Sequence, residues 1–175
     1  MLCSALLTDQ ELKRISGDTF VPERILDFGC GPGTAGLAAS AVWPAQPGGN
    51  SNDSAERRIR KYTGVDMSRS MLDAALIMTK GRIADAAFLS KISEVTKLAT
   101  EGSASVDAQA GNGRYDLAVL SYTLSEMTSD PARRAAVQVL FELLDVNGYL
   151  VIIEPGNPYG SHTVRTGESY SAVNR

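Results

Sequence analysis

Short apolar runs closing on an acid or a glycine alternate along this chain with longer stretches of helical apolar spacing. "RILDF" at 24–28 reads as a short buried strand running into the turn "GCGPG", and "TAGLAASAV" (34–42) behind it is good helix material. "KYTGVD" (61–66) is a second strand. Ser68 then caps a helix, "RSMLDAALIMTK", that Gly81 closes. Met71, Leu72, Ala75 and Met78 recur at helical spacing and are expected to face the core. "DAAFLS" (85–90) is a weak third strand, and "YDLAVLSYTLSEM" (115–127) begins as a fourth. Asp130 and Pro131 serve as N-cap and first-turn proline for "ARRAAVQVLFELLDV". In that helix Val137, Leu140, Phe141 and Leu144 form the expected buried stripe, with Gly148 as its end. "YLVIIEP" (149–155) is the fifth strand. Upstream, a helix is expected from Thr8 to about Ser16, with Thr8 and Glu11 spaced as a capping box.

Two polar, glycine-rich stretches interrupt the alternation and read as loop insertions, at about 43–58 and at 101–114. Strands alternating with helices imply an α/β fold, a doubly wound parallel sheet whose ligand site lies at the carboxyl ends of the strands. The 175 residues, 43% of them hydrophobic, fit a single domain, 1–175, with a sizeable core.

Charge and cysteine content narrow the function. A net charge of −3 gives no global basic field for nucleic acid, and "ERRIRK" (56–61) reads as a solvated charged surface, so no DNA partner is expected. Two cysteines, Cys3 and Cys30, are too few for a disulfide framework or a closed zinc site, and no metal is expected. Cys30 lies inside the glycine turn as a small residue. No apolar run approaches the ~18 residues of a membrane span, so no membrane partner is expected. The first residues carry neither a signal peptide nor the Arg-rich, acid-poor pattern of a transit peptide.

The turn itself carries the chemistry. "GPGTAG" (31–36) formally matches G-x-G-x-x-G, which admits a nicotinamide or flavin dinucleotide. Asp27 precedes it in the pattern D-x-G-x-G-x-G. A carboxylate there repels a pyrophosphate but accepts hydrogen bonds from an ammonium group or a water. S-adenosylmethionine has an amino-acid end and no phosphate, and it suits this turn better. Asp66 ends the second strand, where an acid can accept both ribose hydroxyls, and Met67 beside it can pack on the adenine.

With these residues in view, the chain resembles the class I S-adenosylmethionine-dependent methyltransferases over almost all of its length. "ILDFGCGPGTA", "DLAVLSYTLSEM" and "LVIIEPGNPYG" are similar to the mitochondrial small-ribosomal-subunit methyltransferase-like family, associated with ribosome assembly. The resemblance implies strand order 3-2-1-4-5, with Asp27, Gly29, Gly31 and Gly33 cradling the methionine end of the cofactor and Asp66 its ribose. Ser121 and Tyr122 would then border the cofactor and substrate cleft. It also implies a mitochondrial location and a small ribosomal subunit, or its rRNA, as partner. That family carries a cysteine set for a metal or iron–sulfur cluster, which two isolated cysteines do not reproduce. Members continue beyond strand five, so this chain is expected to lack the last strands and to leave "YLVIIEP" as an unprotected sheet edge. Three functions stay open: methyl transfer to small-subunit rRNA, a non-catalytic assembly scaffold, and a small-molecule methyltransferase.

The sequence assigns no catalytic residue. Glu126 is placed either as a base or as a surface acid, and His162 is expected in a polar loop. "NPY" (157–159) is similar to the N-P-P-Y motif of amino-group methyltransferases but follows strand five rather than four, so Pro155, Gly156 and Pro158 read as loop geometry.

Overall fold

The computed structural model of the chain describes residues 2–16, 20–43, 59–83, 85–102 and 114–171. Five strands, β1 (Arg24–Phe28), β2 (Lys61–Val65), β3 (Ala86–Leu89), β4 (Tyr115–Ser121) and β5 (Leu144–Ile153), make one sheet in the order β3-β2-β1-β4-β5. Every pairing is parallel. The expected order and class hold, and β5 lies at the sheet edge.

The three inner strands β1, β2 and β4 are buried along most of their length, the edge strands β3 and β5 are mostly half-buried, and the period of two divides the side chains between two helical layers. Leu26 joins Val65, Leu120, Val137 and Leu140 on the face covered by α4 (Ile92–Gly102) and α5 (Asp130–Leu143). Ile25 joins Tyr62, Leu117 and Val119 on the opposite face, under α1 (Leu2–Ser16) and α2 (Thr34–Val42). Tyr62 is fully buried there because Gly36 of α2 has no side chain; a Cβ would stand 2.7 Å from its ring.

The structure corrects several boundaries. α1 starts six residues before Thr8, so Thr8 lies within the helix and forms no capping box. Trp43, read as the start of a loop, is buried and donates from Nε1 to Asp9 of α1 at 2.9 Å. The rest of that insertion, 44–58, and residues 103–113 of the second lie outside the described residues. In α3 (Arg69–Thr79) the buried row is Leu72, Ala75 and Thr79, while Met71 and Met78 fall on its flank and are exposed. Ser68 stands at the N-cap as expected, but its hydroxyl makes no capping bond. The α5 N-cap is Ser129 rather than Asp130, its side chain accepting from Ala132 N. α5 stops at Leu143 and the chain enters β5 at once, so Leu144 is a buried strand residue and Phe141 is exposed. Gly148 is no helix end: it sits within β5, near the register irregularity with Tyr115, where a Cβ would approach the Tyr115 carbonyl to 2.9 Å. Two helices were not expected, α4 and α6 (Pro158–Ser171), the second packing against α5. His162 therefore lies on a helix, exposed, and not in a loop. Among the described residues no helix is long and apolar enough to cross a membrane.

Candidate functional site

The carboxyl ends of β1, β2 and β4 meet around the turn 29–33. Gly29 and Cys30 both donate from their backbone N–H to the Val65 carbonyl, at 2.8 and 3.0 Å, which ties the turn to β2. Gly29, Gly31 and Gly33 all have positive φ, at 78°, 51° and 78°. Gly33 stands at the N-cap of α2, where a Cβ would meet Ala75 and Thr79 at 3.2 Å. At Gly29 a Cβ would collide with Thr123, whose hydroxyl donates to the Phe28 carbonyl at 3.0 Å. Gly31 differs: among the described residues, its chain neighbours aside, no atom lies within 4 Å of the place its Cβ would take. The backbone there is bare toward open space, as close approach of a ligand requires.

Asp27 points toward α2 and is 1% exposed. The Tyr62 hydroxyl donates to its Oδ2. Oδ1 is buried and has no hydrogen-bond partner among the described residues. Burial pushes this carboxyl up to about 6, against the pull of the Tyr62 hydrogen bond and aided by the nearby Asp66 charge. Tyr62 is raised well above the ordinary phenol value, first by burial and then by the Asp27 charge. Burial, with Asp27 and Asp66 adding to it, pushes the Cys30 thiol up to about 12. A thiol so raised stays protonated and is neither nucleophile nor metal ligand at neutral pH. Among the described residues no three His, Cys, Asp or Glu side chains are grouped to hold a metal ion.

Asp66 organises the turn. Its Oδ2 accepts from Gly31 N at 2.9 Å and its Oδ1 from Ser68 N at 2.8 Å. Each carboxylate oxygen keeps a further lone pair for a ligand. Met67 follows it, 95% exposed. Ser121 ends β4 and is buried, while Tyr122 turns away with φ 59° and lies exposed. Thus Gly29, Gly31 and Gly33 form the turn, Asp27 lies two residues before it in β1, Asp66 binds it through Gly31 N with Met67 next in the chain, and Ser121 and Tyr122 stand beside it across the Thr123–Phe28 bond. Glu126 is exposed on a 3-10 turn, Leu124–Glu126, and His162 lies elsewhere, on α6.

Three residues of this region went unnoticed in the sequence: Tyr62, Thr123 and Glu154. Glu154 closes an apolar strand with an acid, as Asp27 and Asp66 do, and that repeated pattern is the signal that could have found it. Tyr62 and Thr123 act across neighbouring strands and leave no local pattern.

Solved structures share this architecture. The S-adenosylmethionine-bound amino pentose methyltransferase CalS10 from Micromonospora echinaspora superposes with a TM-score of 0.54 at 18% identity, over 89% of this chain and 51% of that one. DesVI from Streptomyces venezuelae gives 0.56 at 15%, over 90% and 52%. An S-adenosylmethionine-dependent methyltransferase from Methanosarcina mazei gives 0.54 at 19%, over 91% and 64%. The chain spans about half the length of the first two. At such identities the likeness is one of fold, the Rossmann-like methyltransferase fold. No curated protein matches the chain. A family model matches residues 4–169, nearly the whole sequence. The chain belongs to the family described as mitochondrial small ribosomal subunit Rsm22.

Proposed function

We propose that the chain binds S-adenosylmethionine at the turn 29–33 and serves methyl transfer to the RNA of the mitochondrial small ribosomal subunit. The observation that carries the cofactor reading is Asp27 Oδ1, a buried carboxylate oxygen with no partner among the described residues, beside a glycine turn that opens at Gly31. A buried charge without a partner is costly, and the ammonium group of a methionine end supplies both the charge and the donor. Bound, the cofactor supplies an electrophilic methyl group on a sulfonium. The chain's part is to hold it: Asp27 at the ammonium, the turn of Gly29, Gly31 and Gly33 along the methionine backbone, and the start of α2 toward its carboxylate. Asp66 takes the ribose hydroxyls, Met67 lies against the adenine, and Ser121 and Tyr122 border the cleft. The ribosomal partner and the mitochondrial location rest on the family description. A non-catalytic assembly factor that keeps the cofactor fold is the second reading, favoured by the absence of an assigned base.

Calorimetry on the purified chain tests the cofactor. S-adenosylmethionine or its demethylated product should bind and nicotinamide dinucleotides should not; tight NAD binding without adenosylmethionine binding overturns the reading. Asp66→Ala should weaken binding by roughly 10- to 100-fold, the loss of hydrogen bonds to a charged acceptor worth ~1.5–3 kcal/mol. It should also loosen the turn, because Gly31 N and Ser68 N both lose their acceptor. Wild-type affinity in that variant would leave Asp66 with the turn alone. Methylation of small-subunit RNA by the wild-type chain separates enzyme from scaffold. A scaffold binds ribosomal particles even with Asp27 and Asp66 replaced.

A further inference from the structure

We propose that Glu154, with Tyr122 and Tyr159, forms a subsite that takes the methyl acceptor as a planar ring presenting an N–H edge, the amino face of a nucleobase. The proposal rests on the methyl-transfer reading above and names the acceptor chemistry for it. Glu154 follows the last residue of β5, at the same end of the sheet as the glycine turn. Its Oε1 accepts from Ser125 N at 3.2 Å, and its Oε2 is buried with no partner among the described residues. Buried polar atoms are almost always paired, so an orphaned carboxylate oxygen at a strand end asks for a donor from outside the chain.

Ser125 gathers three elements at this rim. Besides Glu154, it receives the Tyr159 hydroxyl on its carbonyl at 3.2 Å and donates its own hydroxyl to the Tyr122 carbonyl at 3.2 Å. Tyr122 is the one non-glycine with positive φ among the described residues, and its N–H is held by the Ile153 carbonyl at 2.8 Å. Strain at a non-glycine persists where surrounding contacts enforce it, commonly at binding sites. Tyr122 and Tyr159 nevertheless leave about half of their surface to solvent, 46% and 51%. Two half-exposed tyrosines, each tied to Ser125, the residue whose N–H holds the Glu154 carboxylate, suit a flat, partly polar ligand better than a saturated one.

The charge balance selects the ligand's edge. Arg133, buried under the rim, donates to the carbonyls of Leu124 and Met127 and to the Tyr159 hydroxyl, and pairs with Asp130. Its charge is matched, so Glu154 and the exposed Glu126 leave the rim negative. A ring edge offering N–H is welcomed there, and one offering a carbonyl is repelled. Oε2 is closed to solvent in the ligand-free chain, so the ring enters with a small rearrangement of the rim, where the backbone is already strained.

The test uses the full chain saturated with S-adenosylhomocysteine, which keeps nucleobases out of the cofactor turn, titrated with labelled oligocytidylate and oligouridylate by fluorescence anisotropy. Cytosine presents an amino group where uracil presents a carbonyl. The expected preference for oligocytidylate is about tenfold or more. Glu154→Gln, whose amide both accepts and donates, should bring the ratio close to one while the S-adenosylhomocysteine affinity, read by calorimetry, stays unchanged. Tyr122→Ala should weaken both oligomers alike. Equal binding of the two oligomers by the wild type, or an unchanged ratio in Glu154→Gln, overturns the proposal. So does displacement of oligocytidylate by glucosamine, which would identify a saturated amine as the ligand. Failure of S-adenosylhomocysteine to bind instead brings down the methyl-transfer reading itself.

Discussion

Asp27→Asn should stabilise the ligand-free chain near neutral pH and at the same time remove most of its affinity for S-adenosylmethionine. Burial holds the Asp27 carboxyl at about 6 in the folded chain, against an ordinary value of 3.8. Between those values the native state binds more protons than the unfolded one, so stability is highest below about 4, falls as pH rises to about 6, and is level above. The ionised, buried carboxylate thus costs on the order of 3 kcal/mol at neutral pH. The asparagine variant escapes that cost but buries an amide N–H2 without an acceptor, which returns about 1–2 kcal/mol of it. A net gain of about 1–2 kcal/mol remains, a rise of several degrees in Tm. Binding moves the other way. An ammonium group needs the ionised form, so wild-type affinity should climb as pH passes upward through about 6, and Asp27→Asn should lose both the climb and ~10- to 100-fold in affinity. Tyr62→Phe should shift the midpoint of that climb upward, because the phenol hydrogen bond favours the ionised carboxylate. Denaturant melts of wild type and variant from pH ~4 to ~8 isolate this one group from the other carboxylates, which both proteins share. Parallel melts across that range would remove the cost assigned to the Asp27 charge, and full affinity in Asp27→Asn would remove Asp27 from ligand binding.

The parts of the fold that could be read directly are those whose signals are local. β1 and α2 begin and end where an apolar run closes on Asp27 and Phe28, where three glycines turn the chain, and where a run of small helix formers follows. α4 and α6 lack such signals. Val95 is the sole fully buried residue described in α4, and α6 carries two glycines in "PYGSHTVRTGESYS". Helix α6 is fixed by tertiary partners: Thr163 is fully buried and the Tyr159 hydroxyl meets Arg133 of α5. β5 begins five residues early because "LDVNG" continues the polar-apolar pattern of the preceding helix until the Tyr115 pairing takes Leu144. The site divides the same way. Asp27 and Asp66 announce themselves as acids at strand ends. Tyr62 does not, because its hydroxyl reaches Asp27 across the sheet: β2 aligns Tyr62 with Ile25 and Gly64 with Asp27, and the phenol extends two residues along. Only the register makes them partners.

Two glycines two residues apart should fail in opposite ways. Gly29→Ala combines a backbone angle of +78° with a methyl group driven into Thr123, whose Cγ2 would lie at 2.6 Å and whose hydroxyl bond to Phe28 would have to break. Left-handed strain of about 1–2 kcal/mol, overpacking of about 1–3, and a lost hydrogen bond of about 1 add to some 3 kcal/mol or more. That is a large share of a domain's stability, and the variant should melt far below wild type whether or not ligand is present. At Gly31 a Cβ would meet no described atom outside its chain neighbours within 4 Å, so Gly31→Val costs chiefly the strain of its angle of +51°, about 1–2 kcal/mol, and should still fold. Its side chain would occupy the open space over the turn that a cofactor backbone requires, and binding of S-adenosylhomocysteine should fall below detection by calorimetry. Thermal melts and calorimetry on the pair give four readings, and the contrast depends on all of them. If Gly31→Val binds as tightly as wild type, the open face at Gly31 is not where the ligand lies. If Gly29→Ala melts with wild type, Thr123 has room to move and the turn is not locked to β4.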